Sequence, residues 1–338
     1  MSDDEASNSS DRNESTATPG PVLDLNLDPQ NDWSDVLVDI ADKLEPFREF
    51  SGPVHDLPVD SQPLDYFKLF FPEWMLQMFV DETNEYAKQQ QRKKGANDPY
   101  WKPATMLDIR KYIYTLITFG HHDLPEFQLY WSDDTYWRVP AIADVWGRQR
   151  YTKIHQYFHL ANSEQQLERN ADNYDPLYKV RPLLDHVCSV CSTVYKPKQN
   201  LSVDEDMVAF TGRISFKQYI KNKPTPWGFK IWCCAEAESG YLLNFQVYTG
   251  KNGNHQPTEH GQGHQVVTNM VQNHLGKNHA VFIDNFFSSV KLAEDLLKEK
   301  TTCCSTIRPA KSKTEAWRGQ NETERPAGCG AVDRQTTS

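Results

Sequence analysis

The hydrophobic period of this chain changes at Pro197, and that change restricts the available folds more than any other feature. Upstream, apolar residues recur every three to four positions, as they do along one face of a helix. Leu64–Phe71 and the run Trp74, Leu76, Met78, Phe79 and Val80 predict two helices. The second continues through Gln91 and stops at Arg92-Lys93-Lys94-Gly95, where basic residues suit a helix C-terminus. Thr105–Phe119 predicts a third, and Lys179–Tyr195 closes the helical region. Downstream, Leu201–Phe210, Phe229–Ala237 and Tyr241–Tyr248 read as strands, the last two joined by the turn Glu238-Ser239-Gly240. Helix Val266–Leu275, strand His279–Phe287, helix Val290–Lys300 and strand Thr301–Ile307 follow. The order β-β-β-α-β-α-β predicts an α/β fold, a mixed sheet with packed helices behind an N-terminal helical region.

Charge is distributed unevenly. Residues 1–60 hold 15 Asp and Glu against Arg12, Lys43 and Arg48, while the whole chain of 338 residues has a net charge of −10. The remainder is close to neutral, so local basic patches and not the total decide whether nucleic acid can bind. Four regions follow: 1–62, acidic and disordered; 63–196, helical; 197–308, the strand-rich core; 309–338, a polar tail. No apolar run approaches the ~18 residues of a membrane span, and no basic-then-apolar leader opens the chain. Seven Cys, two pairs of them adjacent (Cys233–Cys234 and Cys303–Cys304), suit reduced thiols in cytosol or nucleus.

The chemistry-bearing residues lie on or beside the strands. Asp204 falls inside the first and Asp284 closes the fourth. A carboxylate on an apolar strand is costly if buried alone, so both read as rim positions for hard cations such as Mg²⁺, or Mn²⁺. The competing account is a cap on a strand-to-helix turn, which suits Asp284 best because Asp284-Asn285 precedes a helix. Arg213, Lys217, Lys221, Lys223 and Lys230, interleaved with Tyr219 and Trp227, read as phosphate contacts or as a solvated, lysine-protected edge. Cys188 and Cys191 lie three apart on a helix, a spacing that fits packing better than zinc, which needs a second pair.

Several segments, in order, resemble the piggyBac transposases and their domesticated relatives. These are Phe79-Val-Asp-Glu-Thr-Asn-Glu-Tyr-Ala87, Ser202-Val-Asp-Glu-Asp-Met-Val-Ala-Phe-Thr-Gly-Arg213, Tyr219 to Trp232, Gly240 to Lys251 and Phe282-Ile-Asp-Asn-Phe-Phe-Ser-Ser-Val-Lys-Leu-Ala293. The resemblance implies a ribonuclease H-like core with three metal-binding Asp, cutting and joining DNA at TTAA sites, in a nuclear protein that pairs as a homodimer on transposon ends. Asp204 matches the family's first catalytic Asp and Asp284 its second, and the two should converge at one end of the sheet. The third is expected downstream on a helix. Residues 309–338 hold Asp333 alone and no Cys-rich module, and should not pack on the sheet. The expectation is therefore a truncated member with an incomplete ribonuclease H-like sheet, binding duplex DNA without cutting it. The alternative is a non-catalytic nuclear protein that recruits partners through its acidic and helical parts.

Overall fold

The computed structural model describes residues 45–221, 223–250 and 260–306. Residues 1–44 of the acidic segment and the polar tail 309–338 lie outside these residues; the rest of the acidic segment, expected to be disordered, carries a short paired strand. The chain divides into two compact units, Glu49–Thr258 and the remainder.

The first unit opens with a two-residue strand β1 (Gly52–Pro53), followed by helices α1 (Pro63–Phe70), α2 (Glu73–Lys94), α3 (Met106–His121), α4 (Pro140–Ala143), α5 (Arg148–Tyr157) and α6 (Arg181–Thr193). Local chemistry sets their ends. Gly95 adopts φ 64° and terminates α2 in the left-handed conformation that glycine takes without strain. At the start of α3, Thr105 Oγ1 accepts from the Asp108 N–H and the Asp108 carboxylate accepts from the Thr105 N–H, a reciprocal cap.

Two apolar clusters hold these helices together. One gathers Met75, Leu76, Phe79, Val80, Ile109 and Leu160; the other gathers Ala104, Tyr112, Trp146, Tyr151 and Ile154. Ion pairs fasten the second. Arg150 bonds Asp108 at 2.8 Å and the carbonyls of Lys102 and Pro103 at 2.8 and 3.0 Å, and Lys153 meets Asp98 at 2.5 Å.

Strand β2 (Tyr195–Lys196) pairs with β1, and β3 (Asn200–Ala209), β4 (Gln218–Tyr219), β5 (Trp227–Glu236) and β6 (Leu242–Val247) follow. β5 is central: β3 lies antiparallel on one side, with β4 and β6 antiparallel on the other. Gly228 permits the close approach of β3, since a Cβ there would lie 2.0 Å from the Val208 carbonyl oxygen. Helix α6 meets β6 through Cys188, whose thiol donates to Asn244 Oδ1 at 3.1 Å, while Cys191 is buried. The C-x-x-C pair is therefore packing.

In the second unit, α7 (Gly261–Val271) precedes β7 (Ala280–Ile283), α8 (Val290–Lys298) and β8 (Thr302–Ser305). β7 and β8 are parallel with α8 between them in sequence, a β-α-β crossover. Leu292 and Leu296 form the buried stripe of α8. The expected strand 279–287 is shorter than its apolar run because Asp284 turns the chain, its carbonyl accepting from the Phe287 N–H at 3.1 Å. Antiparallel and parallel strand pairs with packed helices, behind a helical region, make the mixed α/β class that the element order predicted.

Candidate functional site

Side chains alternate across a strand, so β3 presents two different faces. Leu201 and Val203 are buried on one, whereas Asp204, Asp206 and Val208 are exposed on the other. Antiparallel register sets the partners on that open face: Cys233 opposite Asp204, Ile231 opposite Asp206, Phe229 opposite Val208. Further along β5, Trp227 stands opposite Tyr219 of β4. The face therefore runs from two carboxylates at one end to an aromatic pair at the other.

The thiol of Cys233 reports on the acidic end. Burial, then the carboxylates of Asp206 and Asp204, push it up to about 11. Each carboxylate accepts one local backbone N–H, Glu205 N to Asp204 Oδ1 and Met207 N to Asp206 Oδ1, both at 2.8 Å. Among the described residues no Lys, Arg or His lies within ion-pair distance of either. Two exposed carboxylates i and i+2 on one strand are hard oxygen donors of the kind Mg²⁺ takes. They fit part of such a centre: among the described residues, no three His, Cys, Asp or Glu gather as one ion would require. Asp206 was not singled out from the sequence, although two-residue alternation from Asp204 points to it.

Glu205 faces the other way. It pairs with Lys223 at 3.5 Å, and the Lys223 ammonium also donates to the Glu205 carbonyl at 3.1 Å. Lys230 stands opposite Met207, on the Glu205 side of the sheet, its ammonium 3.9 Å from the centre of the Trp232 ring. Burial holds its pKa below the usual lysine value, with the Glu205 charge acting in opposition. Lys217 donates to the Gly212 carbonyl at 2.9 Å and lies over Trp227 at 5.4 Å. Arg213 and Lys221 are exposed. Of the five basic residues the sequence pointed to, these two reach solvent most directly and the other three have intramolecular partners.

Asp284 is exposed and follows β7 in the second unit. Its carboxylate accepts from the Asn285 N–H at 2.6 Å, so the turn account holds locally. The cap of α8 is nevertheless Ser289, whose Oγ accepts from the Leu292 N–H at 3.1 Å. A cavity of about 970 Å³ elsewhere in the first unit is bordered by Arg169, Arg181, Asp175, Cys188 and Phe245. Its Arg181 is held by Asp175 through two bonds of 2.8 and 2.9 Å, which makes that wall architectural.

Comparison with known proteins adds a lineage. Residues 62–324 match the family described as Transposase IS4. The chain is 28% identical over 250 residues to the human PiggyBac transposable element-derived protein 3, covering 73% of this chain and 40% of that one. It is 26% identical over 279 residues to the human PiggyBac transposable element-derived protein 5, covering 79% and 51%. A cryo-EM structure of a piggyBac transposase synaptic complex with hairpin DNA superposes with a TM-score of 0.69 at 22% identity, over 82% of this chain and 57% of that one. That likeness shows a shared fold, the ribonuclease H-like class expected. The chain spans about half the length, or less, of the curated relatives it matches.

Proposed function

The chain belongs to the IS4/piggyBac-type family of DDE transposases, and from that premise we propose that it is a duplex-DNA-binding protein, descended from a metal-dependent enzyme that cuts and joins DNA at TTAA sites. The observation that supports this reading is the open face of β3 and β5, with Asp204 and Asp206 at one end and exposed Arg213 and Lys221 in the connection beyond the other. Basic side chains without internal partners bind phosphate at the smallest cost, because counterion release supplies the affinity. Arg213 and Lys221 would hold the backbone, with Lys217 beside them.

Asp204 and Asp284 are the proposed metal ligands, with Asp206 adjacent to the first. A bound Mg²⁺ or Mn²⁺ would supply an activated water and stabilise the leaving oxygen of a phosphodiester. The protein's own contribution is to present hard oxygens held by backbone N–H donors and to orient the strand through its basic residues. Two carboxylates hold one such ion weakly, and phosphodiester cleavage needs a fuller set. A polypeptide of these 338 residues is therefore proposed to bind without cutting. With DNA as its ligand the protein is proposed to be nuclear, and homodimerisation is proposed from the same family reading. Among the described residues no helix is long and apolar enough to cross a membrane.

A second reading has its own observation. Exposed Leu64, Tyr114 and Ile117 border a cavity of about 370 Å³ on the helical region, a surface suited to a protein partner. A domesticated nuclear protein that recruits through its helices would use it.

The deciding experiment titrates Mg²⁺ or Mn²⁺ into the chain with hairpin or nicked duplex DNA, wild type beside Asp204→Ala and Asp284→Ala. Salt-sensitive binding with a log–log slope of about −2 to −3, for two or three phosphate contacts, is expected without cleavage. Cleavage that either substitution abolishes would show an active enzyme. Absence of salt-sensitive binding would favour the recruiting protein.

A further inference from the structure

We propose that Tyr219 and Trp227 form a stacking platform for unpaired DNA bases, set along the open sheet face from Asp204; this rests on the DNA-binding reading above and goes further in naming the form of DNA and its place. The two side chains are 54% and 53% exposed, whereas Phe216 and Trp232 of the same sheet region are almost wholly buried. Their rings lie 4.6 Å apart between centroids with planes 41° apart. A cross-strand aromatic contact accounts for the rings touching one another. It leaves about half of each side chain's surface open to solvent.

The platform is held in place from several sides. The Ile220 N–H donates to the Pro226 carbonyl at 2.9 Å, closing the β4–β5 connection beside the pair. Lys217 lies over the Trp227 ring and is anchored on the Gly212 carbonyl. Next along β5, Phe229 stacks on Phe210 at 4.5 Å and meets Phe216 at 5.7 Å. Preorganised flat rings, a cation at one ring face and exposed Arg213 and Lys221 in the same connection match a nucleobase flanked by phosphates. Aromatic platforms within positive surroundings bind single strands in this way and tolerate any base, because every base has a π-face. An apolar protein segment would leave the flanking cations without counterparts.

The sheet also gives a distance. Trp227 and Cys233 share a face of β5, and Cys233 stands opposite Asp204. Six residue intervals at roughly 3.3 Å put the platform about 20 Å from that carboxylate. At about 3.4 Å per nucleotide, an unpaired base seated there lies about six nucleotides from the phosphodiester at Asp204.

The test measures the affinity of the full chain for two duplexes of equal length and sequence, one fully paired and one with a two-nucleotide unpaired segment. Wild type should prefer the second by about tenfold, the order expected for one stacked base. Tyr219→Ala/Trp227→Ala should erase that preference and keep the affinity for paired duplex, which also controls for folding. Tyr219→Phe/Trp227→Phe should restore it. Equal wild-type affinity for both duplexes would overturn the platform and leave duplex binding standing. So would a proportionate loss on both duplexes in the alanine variant, or loss of the preference in the phenylalanine variant. No salt-sensitive binding to either DNA would overturn the underlying reading and the platform with it.

Discussion

In the helical region, Asp98, Asp108 and Asp175 each meet a cation at 2.5–2.8 Å; on β3, Asp204 and Asp206 face solvent and, among the described residues, their carboxylates accept only from backbone N–H groups. Both sets are aspartates in folded, aromatic-rich surroundings, and composition treats them alike. The helical set serves architecture. Lys153, Arg181 and, against the opposing effect of burial, Arg150 hold their partner carboxyls below the usual range. The strand set is available to an outside cation. The basic residues divide similarly: Arg150, Lys153 and Arg181 are engaged within the fold, whereas Arg213 and Lys221 form no ion pair among the described residues. A charge contributes to binding when the fold has not already paired it.

The comparison breaks most visibly in the core. Phe79→Ala should cost about 3–5 kcal/mol, because Phe79 is 1% exposed and packs edge-on against Phe158. Val208→Ala on the open face should stay within about 0.5 kcal/mol. Denaturant unfolding of both variants checks this, and similar losses would mean that the face called open is covered.

A smaller effect concerns acid. Asp98 has a lowered folded-state pKa, so its pairing stabilises fully above the unfolded carboxylate value of about 4 and is lost as pH falls through the folded value. Asp98→Asn removes that contribution. The variant should therefore lose less unfolding free energy than wild type between about pH 6 and about pH 3. An unchanged pH slope would remove Asp98 from the set of architectural carboxylates.

The smallest effect sharpens the open-face geometry. Asp206→Asn removes one of the charges that raise Cys233, so alkylation of this thiol should shift to slightly lower pH. Mass spectrometry of the modified peptide reads it, with Asp204→Asn giving the lesser shift. A profile that moves with neither substitution would place the carboxylates away from Cys233.

Most of the fold was legible from period and caps. The end of α2 at Gly95, the start of α3 at Thr105 and the two faces of β3 all follow from local chemistry. What escaped depends on partners distant in sequence. β1 sits in a proline-rich linker and exists through pairing with Tyr195–Lys196; β4 is two residues long and exists through β5. Lys223 reads as a free basic residue until the fold brings Glu205 of β3 to it, whereas Lys230 and Trp232 meet because strand alternation puts them on one face of β5. The exposed strand position of Asp204 was readable, and that of Asp206 was readable in principle from the alternation. The aromatic pair was noticed as composition, but its exposure and its stacking belong to the folded sheet.

The central position of β5 also bears on the order in which the sheet assembles. β5 and β6 are joined by a tight connection in which Gly240, at φ 71°, donates to the Glu236 carbonyl at 2.9 Å. Short loops close with little entropy and hairpins form in about 1–10 μs, so this pair can nucleate early. β3 can complete its nine-residue register only after a longer connection, 210–226, has been closed. The face that carries Asp204 then comes into being after the β5–β6 hairpin, and a chain halted before β3 docks would have a hairpin but no acidic end.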